Sequence, residues 1–465
     1  MLAPLCFWGE NFMIKKEKFA LSTTQIIALS FLVTILVGSI LLALPISSAN
    51  GEAVPYIDAL FMATTSTCVT GLVTLPTVST WSLFGQIVIL LLIQIGGLGV
   101  ITIMSGIMLL FNRKMGLGHR LLIQDAFNLN TMSGLVKFVK KVLFGTLIIE
   151  GIGALLYMIV FIPKFGAKGI WISIFNSVSA FCNAGIDIIA ENSLCDFATN
   201  PLVNIVTSIL IVLGGIGYIV WWDVIRVVNS RSSRNKKIFR HLTLHSKIAI
   251  TFTLGLIVVG ATLVLIFEYN NPTTIGNLSF FDKIQVALFQ SVTTRTAGFA
   301  SIPQENLTDA STIVSLVLMF IGGSPVGTAG GVKTVTIAVL VCTAFATIRN
   351  KNDVTMFGRR ISEDLVRKSV AVMVAFVMIG VTSSVLLMAT NDVSAIDALY
   401  EAISATATVG LSRNITAMLN LWGKLVIIVT MYLGRIGPIT LAVMFGSKPQ
   451  GQNLISEPVE DVSIG

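Results

Sequence analysis

The chain of 465 residues is 54% hydrophobic and only 12% charged, with a formal net charge of +8. Its charged share is about half that usual for a soluble domain, and apolar runs of ~20 residues, each able to cross ~30 Å of hydrocarbon, recur along it. This excludes a soluble globular protein and predicts an all-α integral membrane protein.

The first apolar run, about 25–44, is too long for a signal h-region and has no good cleavage site. Residues 1–24, with Lys15, Lys16 and Lys18, read as a cytoplasmic tail, and Met13 is an alternative start. The chain then divides into four units of one design: repeat 1 over 25–111, repeat 2 over 135–222, repeat 3 over 248–348 and repeat 4 over 367–446. Linkers 112–134, 223–247 and 349–366 join them, and 447–465 forms a C-terminal tail.

Each unit reads as an apolar span, a short segment ending in a polar glycine loop, and a second apolar run. The loops are "TCVTGL", "CNAGI", "RTAGF" and "ATVGL", and their glycines, Gly71, Gly185, Gly298 and Gly410, are 114, 113 and 112 residues apart. Glycine breaks in the second runs ("IQIGGLG", "LVLGGIG", "MFIGGSP", "MYLGRIG") trail them by 25, 29, 24 and 24 residues. For these breaks, close helix packing is the expected role. Asp58 and Asp397, each 13 residues before a loop glycine, are expected to cap the short helices by accepting free N–H groups.

Lys and Arg set the orientation. The linkers are basic, from Arg113 and Lys114 through Arg226 and Arg240 to Arg359 and Arg360. The other side carries Glu52, Asp58, Asp187, Glu191, Asp196, Glu268, Glu305, Asp309 and Asp392. The short helices therefore enter from outside and both termini are expected in the cytoplasm. The +8 is then a matter of topology, not of nucleic acid, and the outer acids concentrate cations modestly.

Irregular backbone at membrane depth is tolerated where it lines a water-filled path. Four matched loops around one axis could replace the water shell of a bare cation with carbonyl oxygens. Glycine admits left-handed angles and a close approach of backbone to ion. A short helix pointing its C-terminal end at the axis adds about half a negative charge. No carboxylate lies in any loop, which fits a monovalent ion better than a divalent one.

Other classes have less support. The units share one orientation, unlike the inverted repeats of many solute carriers. No HExxH, GxSxG or P-loop phrase is present, and the three histidines (His119, His241, His245) lie in polar loops. The five cysteines lack CxxC spacing; Cys68 and Cys182 read as small fillers.

The phrases "CVTGL", "NAGI", "RTAGF" and "TVGL", found together, resemble the Trk/Ktr/HKT potassium transporter superfamily over about residues 25–446. With no extra pair of spans before repeat 1, the chain is most similar to the Ktr-type membrane subunit. The resemblance implies eight transmembrane helices in four M1–P–M2 repeats around a central pore with re-entrant loops. It assigns the selectivity filter to Thr67, Cys68, Val69, Thr70 and Gly71; Cys182, Asn183, Ala184 and Gly185; Arg295, Thr296, Ala297 and Gly298; and Ala407, Thr408, Val409 and Gly410. K+ would bind at the four glycine loops. Glycine at 71, where sodium-preferring members have serine, favours potassium; a sodium-selective member and a carrier of another solute are the alternatives. Sodium coupling, a homodimer and a cytoplasmic RCK-type nucleotide-binding ring also follow from the resemblance alone. This chain itself has no nucleotide-binding domain, and its basic linkers and C-terminal tail are the candidate contacts for the ring.

Two departures from the repeat point to a gate. "IGGSPVGTAGGVKT" (Ile321 to Thr334) holds five glycines and a proline, too many for an unbroken helix, with no equivalent expected in the other repeats. Gly322, Gly323, Ser324, Pro325, Gly327, Thr328, Gly330, Gly331 and Lys333 are its gate candidates, with Lys333 open between a cytoplasmic and a pore-facing position. Arg435 stands mid-span where repeats 1 and 2 have glycine, and is expected below the filter with carbonyl or loop partners. Arg295 is expected to tie its pore helix to carbonyls or an acid, with Glu150 and Glu401 both open as partners.

Overall fold

The computed structural model describes residues 22–110, 116–126, 134–229, 238–351 and 353–437. The start at Met13, most of the N-terminal tail, the whole C-terminal tail and repeat 4 beyond Gly437 lie outside the described residues.

Repeat 1 comprises α1 (Thr23–Ala43), α2 (Tyr56–Cys68), a single turn α3 (Thr77–Thr80), α4 (Leu83–Leu98) and α5 (Val100–Leu110). A linker helix α6 (Leu117–Ala126) leads to repeat 2, with α7 (Leu135–Phe165), α8 (Lys168–Cys182), α9 (Pro201–Gly215) and α10 (Tyr218–Asn229). After α11 (Ile238–His241), repeat 3 has α12 (Leu244–Glu268), α13 (Phe280–Thr293), α14 (Asp309–Phe320) and α15 (Thr334–Ile348). A hairpin of β1 (Thr355–Met356) and β2 (Arg359–Arg360) precedes repeat 4, with α16 (Glu363–Thr390), α17 (Ala395–Thr406) and α18 (Leu421–Ile436). The linkers therefore hold short elements of their own.

Local chemistry sets the helix starts. Ser22 and Gln25 form a capping box on α1. Ser279, Ser394 and Asn420 accept N–H groups at the first turns of α13, α17 and α18. Asp58 and Asp397 do not cap, correcting the sequence expectation. Each sits in the first turn and takes a cation instead: Lys424 Nζ lies 2.5 Å from Asp58, and Arg413 Nε 2.7 Å from Asp397. The first pair ties repeat 4 to repeat 1.

The long helices α1, α7, α12 and α16 are each apolar and long enough to cross a membrane. Each carries a stripe of exposed apolar side chains, such as Val33 and Ile40, Phe144 and Leu155, or Val258 and Ile266. In water such a belt would be an interaction surface; here it fits lipid. The opposite face of each long helix packs on the short helix of its own repeat.

The second runs differ from expectation. α4 and α5 meet at 97° across Gly99, and α9 and α10 at 95°. These pairs were expected as unbroken spans, with repeat 3 alone interrupted. The reason is visible at α9: its last carbonyls, on Gly214 and Gly215, are taken by N–H groups of Thr328 and Ser324 from repeat 3. A helix whose terminal carbonyls have outside partners has no reason to continue.

Candidate functional site

The four loop glycines meet. A Cβ built on Gly71 would lie 2.6 Å from the Ala184 carbonyl oxygen and 3.1 Å from Gly410 Cα. One on Gly185 would lie 2.5 Å from the Ala297 oxygen and 2.7 Å from Gly298 Cα. Gly298 faces the Val409 oxygen, and Gly410 faces the Thr70 oxygen. Each glycine thus abuts the carbonyl just before the next glycine, and the contacts close into one ring in chain order. All four have positive φ, between 62° and 105°. A side chain at any of them would meet both a strained backbone and a neighbouring carbonyl.

Sequence reasoning missed a second left-handed position in every loop. Val69, Asn183, Thr296 and Thr408, each two residues before its glycine, have φ of 56°, 61°, 63° and 51°. Three are β-branched, for which this conformation is a genuine outlier and costs ~1–3 kcal/mol. Nothing in their residue type announces it; only tertiary support can hold them there.

That support includes a set of hydroxyls, also missed. Thr65 Oγ1 accepts from Gly71 N–H (2.9 Å), and Ser404 Oγ from Gly410 N–H (3.0 Å). Ser179 Oγ accepts from Ile186 N–H (3.1 Å), and Thr293 Oγ1 donates to the Phe299 carbonyl (2.7 Å). In repeats 1, 2 and 4 the hydroxyl stands six residues before the glycine; in repeat 3 it stands five before. The available signal was the run of Ser and Thr ending each short helix. The Thr67, Thr70, Thr296 and Thr408 hydroxyls are buried and have no protein partner.

Two predicted filter side chains point away from the ring. Cys182 packs behind it, with Sγ 3.6 Å from Gln94 and 3.9 Å from Glu150. Arg295 donates to the carbonyls of Thr253 (3.3 Å) and Gly322 (3.2 Å). Its partners are carbonyls, and neither acid serves. Glu150 accepts from Gln94 Nε2 (3.2 Å), while Glu401 is held by Ser412 and Thr416. Arg295, three residues before its ring glycine, braces the loop by its side chain. Cys68 is a buried free thiol, and Ala407 lies against Gly331 at the foot of the fourth loop.

The glycine breaks of the second helices press on the loops' feet. A Cβ on Gly96, Gly214 or Gly434 would collide with the carbonyl of Thr67, Phe181 or Thr406. These glycines let the second helices approach the ends of the short ones, the packing role expected for them.

Beneath the ring runs the segment 321–333. Its limbs pair with each other, Gly322 N–H to the Val332 carbonyl (3.0 Å) and Thr334 N–H to Gly323 (3.0 Å). The Ser324 and Thr334 hydroxyls lie 2.8 Å apart. Its tip is clamped to repeat 2: Ser324 N–H binds the Gly215 carbonyl (2.8 Å), Thr328 N–H that of Gly214 (3.1 Å), and Tyr218 N–H the Val326 carbonyl (2.9 Å). Gly327 fits against Gly214 and Gly215, and Gly217 against the Pro325 carbonyl. A Cβ built on Gly330 would meet the Thr408 hydroxyl and lie 2.8 Å from the Ala407 carbonyl oxygen, so the segment touches the foot of the ring.

Arg435 closes this floor. Its Nη1 donates to the Thr328 carbonyl (2.7 Å) and its Nη2 to Gly96 (2.5 Å). Thr328 thereby joins repeats 2, 3 and 4, since its hydroxyl also reaches the Phe181 carbonyl (3.1 Å). Lys333 lies inside as well, with Nζ on the Ala329 carbonyl (2.6 Å).

Two cavities flank the ring and floor. One, of about 260 Å³, touches all four ring glycines and is walled by Asp187, Glu191 and Glu305. These are three of the nine acids expected on that side; Asp58 and Glu268 are engaged elsewhere. Burial pushes the Asp187 carboxyl up to about 6 against the pull of hydrogen bonds from Ser193 and from the Ile189 and Ala190 N–H groups. The other cavity, of about 360 Å³, lies beyond the floor and is lined by Gly99, Gly327, Gly330, Lys333 and Arg435.

Comparison with known proteins bears on the family and the fold. The chain is 40% identical over 434 residues to the potassium/sodium uptake protein NtpJ of Enterococcus hirae, covering 92% of this chain and 94% of that one. It is 38% identical over 427 residues to the Ktr system potassium uptake protein B of Bacillus subtilis, covering 92% and 93%. The crystal structure of the potassium transporter TrkH from Vibrio parahaemolyticus superposes with a TM-score of 0.73 over 92% of this chain and 86% of that one. At 17% identity that likeness speaks for the fold alone. A family model described as TrkH, cation transport protein, matches residues 11–455. This multi-pass membrane chain belongs to the TrkH family of cation transport proteins.

Proposed function

We propose that the chain is the potassium-translocating membrane subunit of a Ktr-type uptake system. It spans the membrane eight times in four M1–P–M2 repeats, with the basic linkers and both termini in the cytoplasm. The ring of Gly71, Gly185, Gly298 and Gly410 is the filter, and the Thr70, Ala184, Ala297 and Val409 carbonyls replace water around a bare K+. The observation that carries this reading is the closure of the glycine contacts in chain order. A packing role for one glycine at a time would not require four loops to converge.

The floor is the gate. A fixed charge ~4 Å from a permeating cation costs roughly 4 kcal/mol at an effective dielectric of 20. Arg435, held between Gly96 and Thr328, therefore restrains flow, and the 321–333 segment must shift for ions to pass. Nucleotide control enters through a separate RCK-type ring beneath a dimer of this subunit. The Enterococcus relative is named a potassium/sodium uptake protein, so sodium is the ion to compare.

The test is ion flux in proteoliposomes, potassium against sodium, for the wild type and Gly71→Ser. The wild type should favour potassium. The serine, forced toward the Ala184 carbonyl, should lower the potassium-to-sodium ratio. An unaltered ratio at normal incorporation would remove this loop from the filter.

A further inference from the structure

The linker between repeats 3 and 4 carries charge that its own acids do not balance. Residues 349–368 include six basic residues and three acids. Every acid is engaged: Asp353 by Arg360 at 2.9 Å, Asp364 by Lys368 at 2.8 Å and Glu363 by Arg367 at 3.9 Å. Arg349, Lys351 and Arg359 are left without a carboxylate partner among the described residues.

Two of these cations share a cleft of about 300 Å³ with Cys342, Phe345, Ala346, Asp353 and Thr355. The Asp353 carboxylate on its wall is paired with Arg360. The apolar side of the cleft is the last turns of α15, and it continues as an uncovered strip: Val341, Phe345 and Ile348 are 39%, 57% and 77% exposed.

The cleft is built, not frayed. The chain reverses at Asn350, with φ 49°, and Lys351 N–H closes on the Ala346 carbonyl at 2.9 Å. Met356 and Ile361 of the hairpin segment are buried with Ile248, Ala338 and Val339. The hairpin tip places Phe357 at φ 47°, an outlier for an aromatic residue. Its ring is half exposed and meets the half-exposed Phe239 edge-on at 5.9 Å. Exposed apolar rings beside unbalanced cations suit the boundary between the cytoplasm, where Lys and Arg gather, and the hydrocarbon.

We propose that this cleft binds one anionic phospholipid. The phosphate sits between Arg349 and Lys351, an acyl chain runs along Phe345 and Val341, and the hairpin tip rests among the headgroups. A soluble phosphate would use the cations and leave the strip uncovered. The continuity of the charged cleft with the apolar face of α15 is what a lipid requires. The proposal depends on the chain being embedded in a membrane, not on which ion crosses it.

Native mass spectrometry of the detergent-solubilised protein with dioleoyl-phosphatidylglycerol and dioleoyl-phosphatidylcholine tests it. Phosphatidylglycerol should be retained over phosphatidylcholine. The Arg349→Gln/Lys351→Gln variant should lose that retention roughly tenfold. Arg367→Gln, at a paired cation, and the charge-preserving Arg349→Lys should both keep it. Ion flux in neutral-lipid vesicles should be unchanged in the double variant, which separates this proposal from the filter reading. Equal retention by the double variant would overturn it, as would displacement of the lipid by inorganic phosphate. Shielding of Lys351 from amine acylation by a soluble partner protein but not by phosphatidylglycerol would assign the cleft to that partner and end the proposal.

Discussion

The ring and the floor beneath it are built on opposite plans. In the ring, four loops reach one answer: a glycine at positive φ, a second left-handed residue two before it, and a hydroxyl of the short helix holding the loop. In the floor each repeat gives something different. Repeat 3 supplies the irregular segment, repeat 4 the arginine, repeat 2 the carbonyls that clamp it, and repeat 1 the carbonyl that anchors the arginine. Equivalence is what the proposed filter needs, to surround an ion evenly. Inequivalence is what the proposed gate needs, because one segment could move while its neighbours stay.

The contrast can be broken most strongly at the ring. Gly185→Ala places a Cβ against the Ala297 carbonyl and Gly298 Cα at φ 62°, so potassium flux in proteoliposomes should fall on the order of 100-fold. Flux near wild type would mean that the ring is not on the ion path. The floor should respond with the opposite sign. Arg435→Ala removes a fixed charge, and flux should rise about tenfold, the full Coulomb figure being reduced by screening. Vesicles with matched protein content showing no rise would make the floor structural only.

A subtler change sharpens the account of the hydroxyls. Ser404→Ala leaves the buried Gly410 N–H without its acceptor, a loss of ~1–3 kcal/mol. Potassium-over-sodium discrimination should drop about fivefold. Ser383→Ala, whose hydroxyl meets Thr430 away from the ring, should leave discrimination alone. The smallest effect concerns the mouth. With its carboxyl raised to about 6, Asp187 is anionic at pH 7.5 and mostly neutral at pH 5. Acidifying that side should therefore slow potassium entry roughly twofold as local attraction weakens, and Asp187→Asn should flatten the profile. A wild-type profile retained in Asp187→Asn would mean that Asp187 is not the source of the pH response.

Much of this was legible in the residues because the chain repeats itself. One glycine in a polar loop says little; four in phase name the site, and the "GG" breaks kept phase because helix packing demands small residues at one depth. Other features were hidden. Asp58 and Asp397 look like caps, and what redirects them is Lys424 and Arg413, distant in the chain for Asp58 and a loop away for Asp397. The bend after α9 is set by Ser324 and Thr328, more than a hundred residues on. Arg295 sits within a glycine-loop phrase, yet its side chain leaves for Thr253 and Gly322.

The sequence by itself determined membrane residence, the period and the glycine positions, because lipid selects apolar length and close backbone approach selects a missing side chain. Both are properties of single residues and their spacing. Only the tertiary structure decided that Val69, Thr296 and Thr408 take left-handed angles, that Arg435 spans two repeats, and which way Cys182 and Arg295 turn. Those outcomes depend on which carbonyl or hydroxyl lies opposite. That partner comes from another turn or another repeat, and no local preference encodes it.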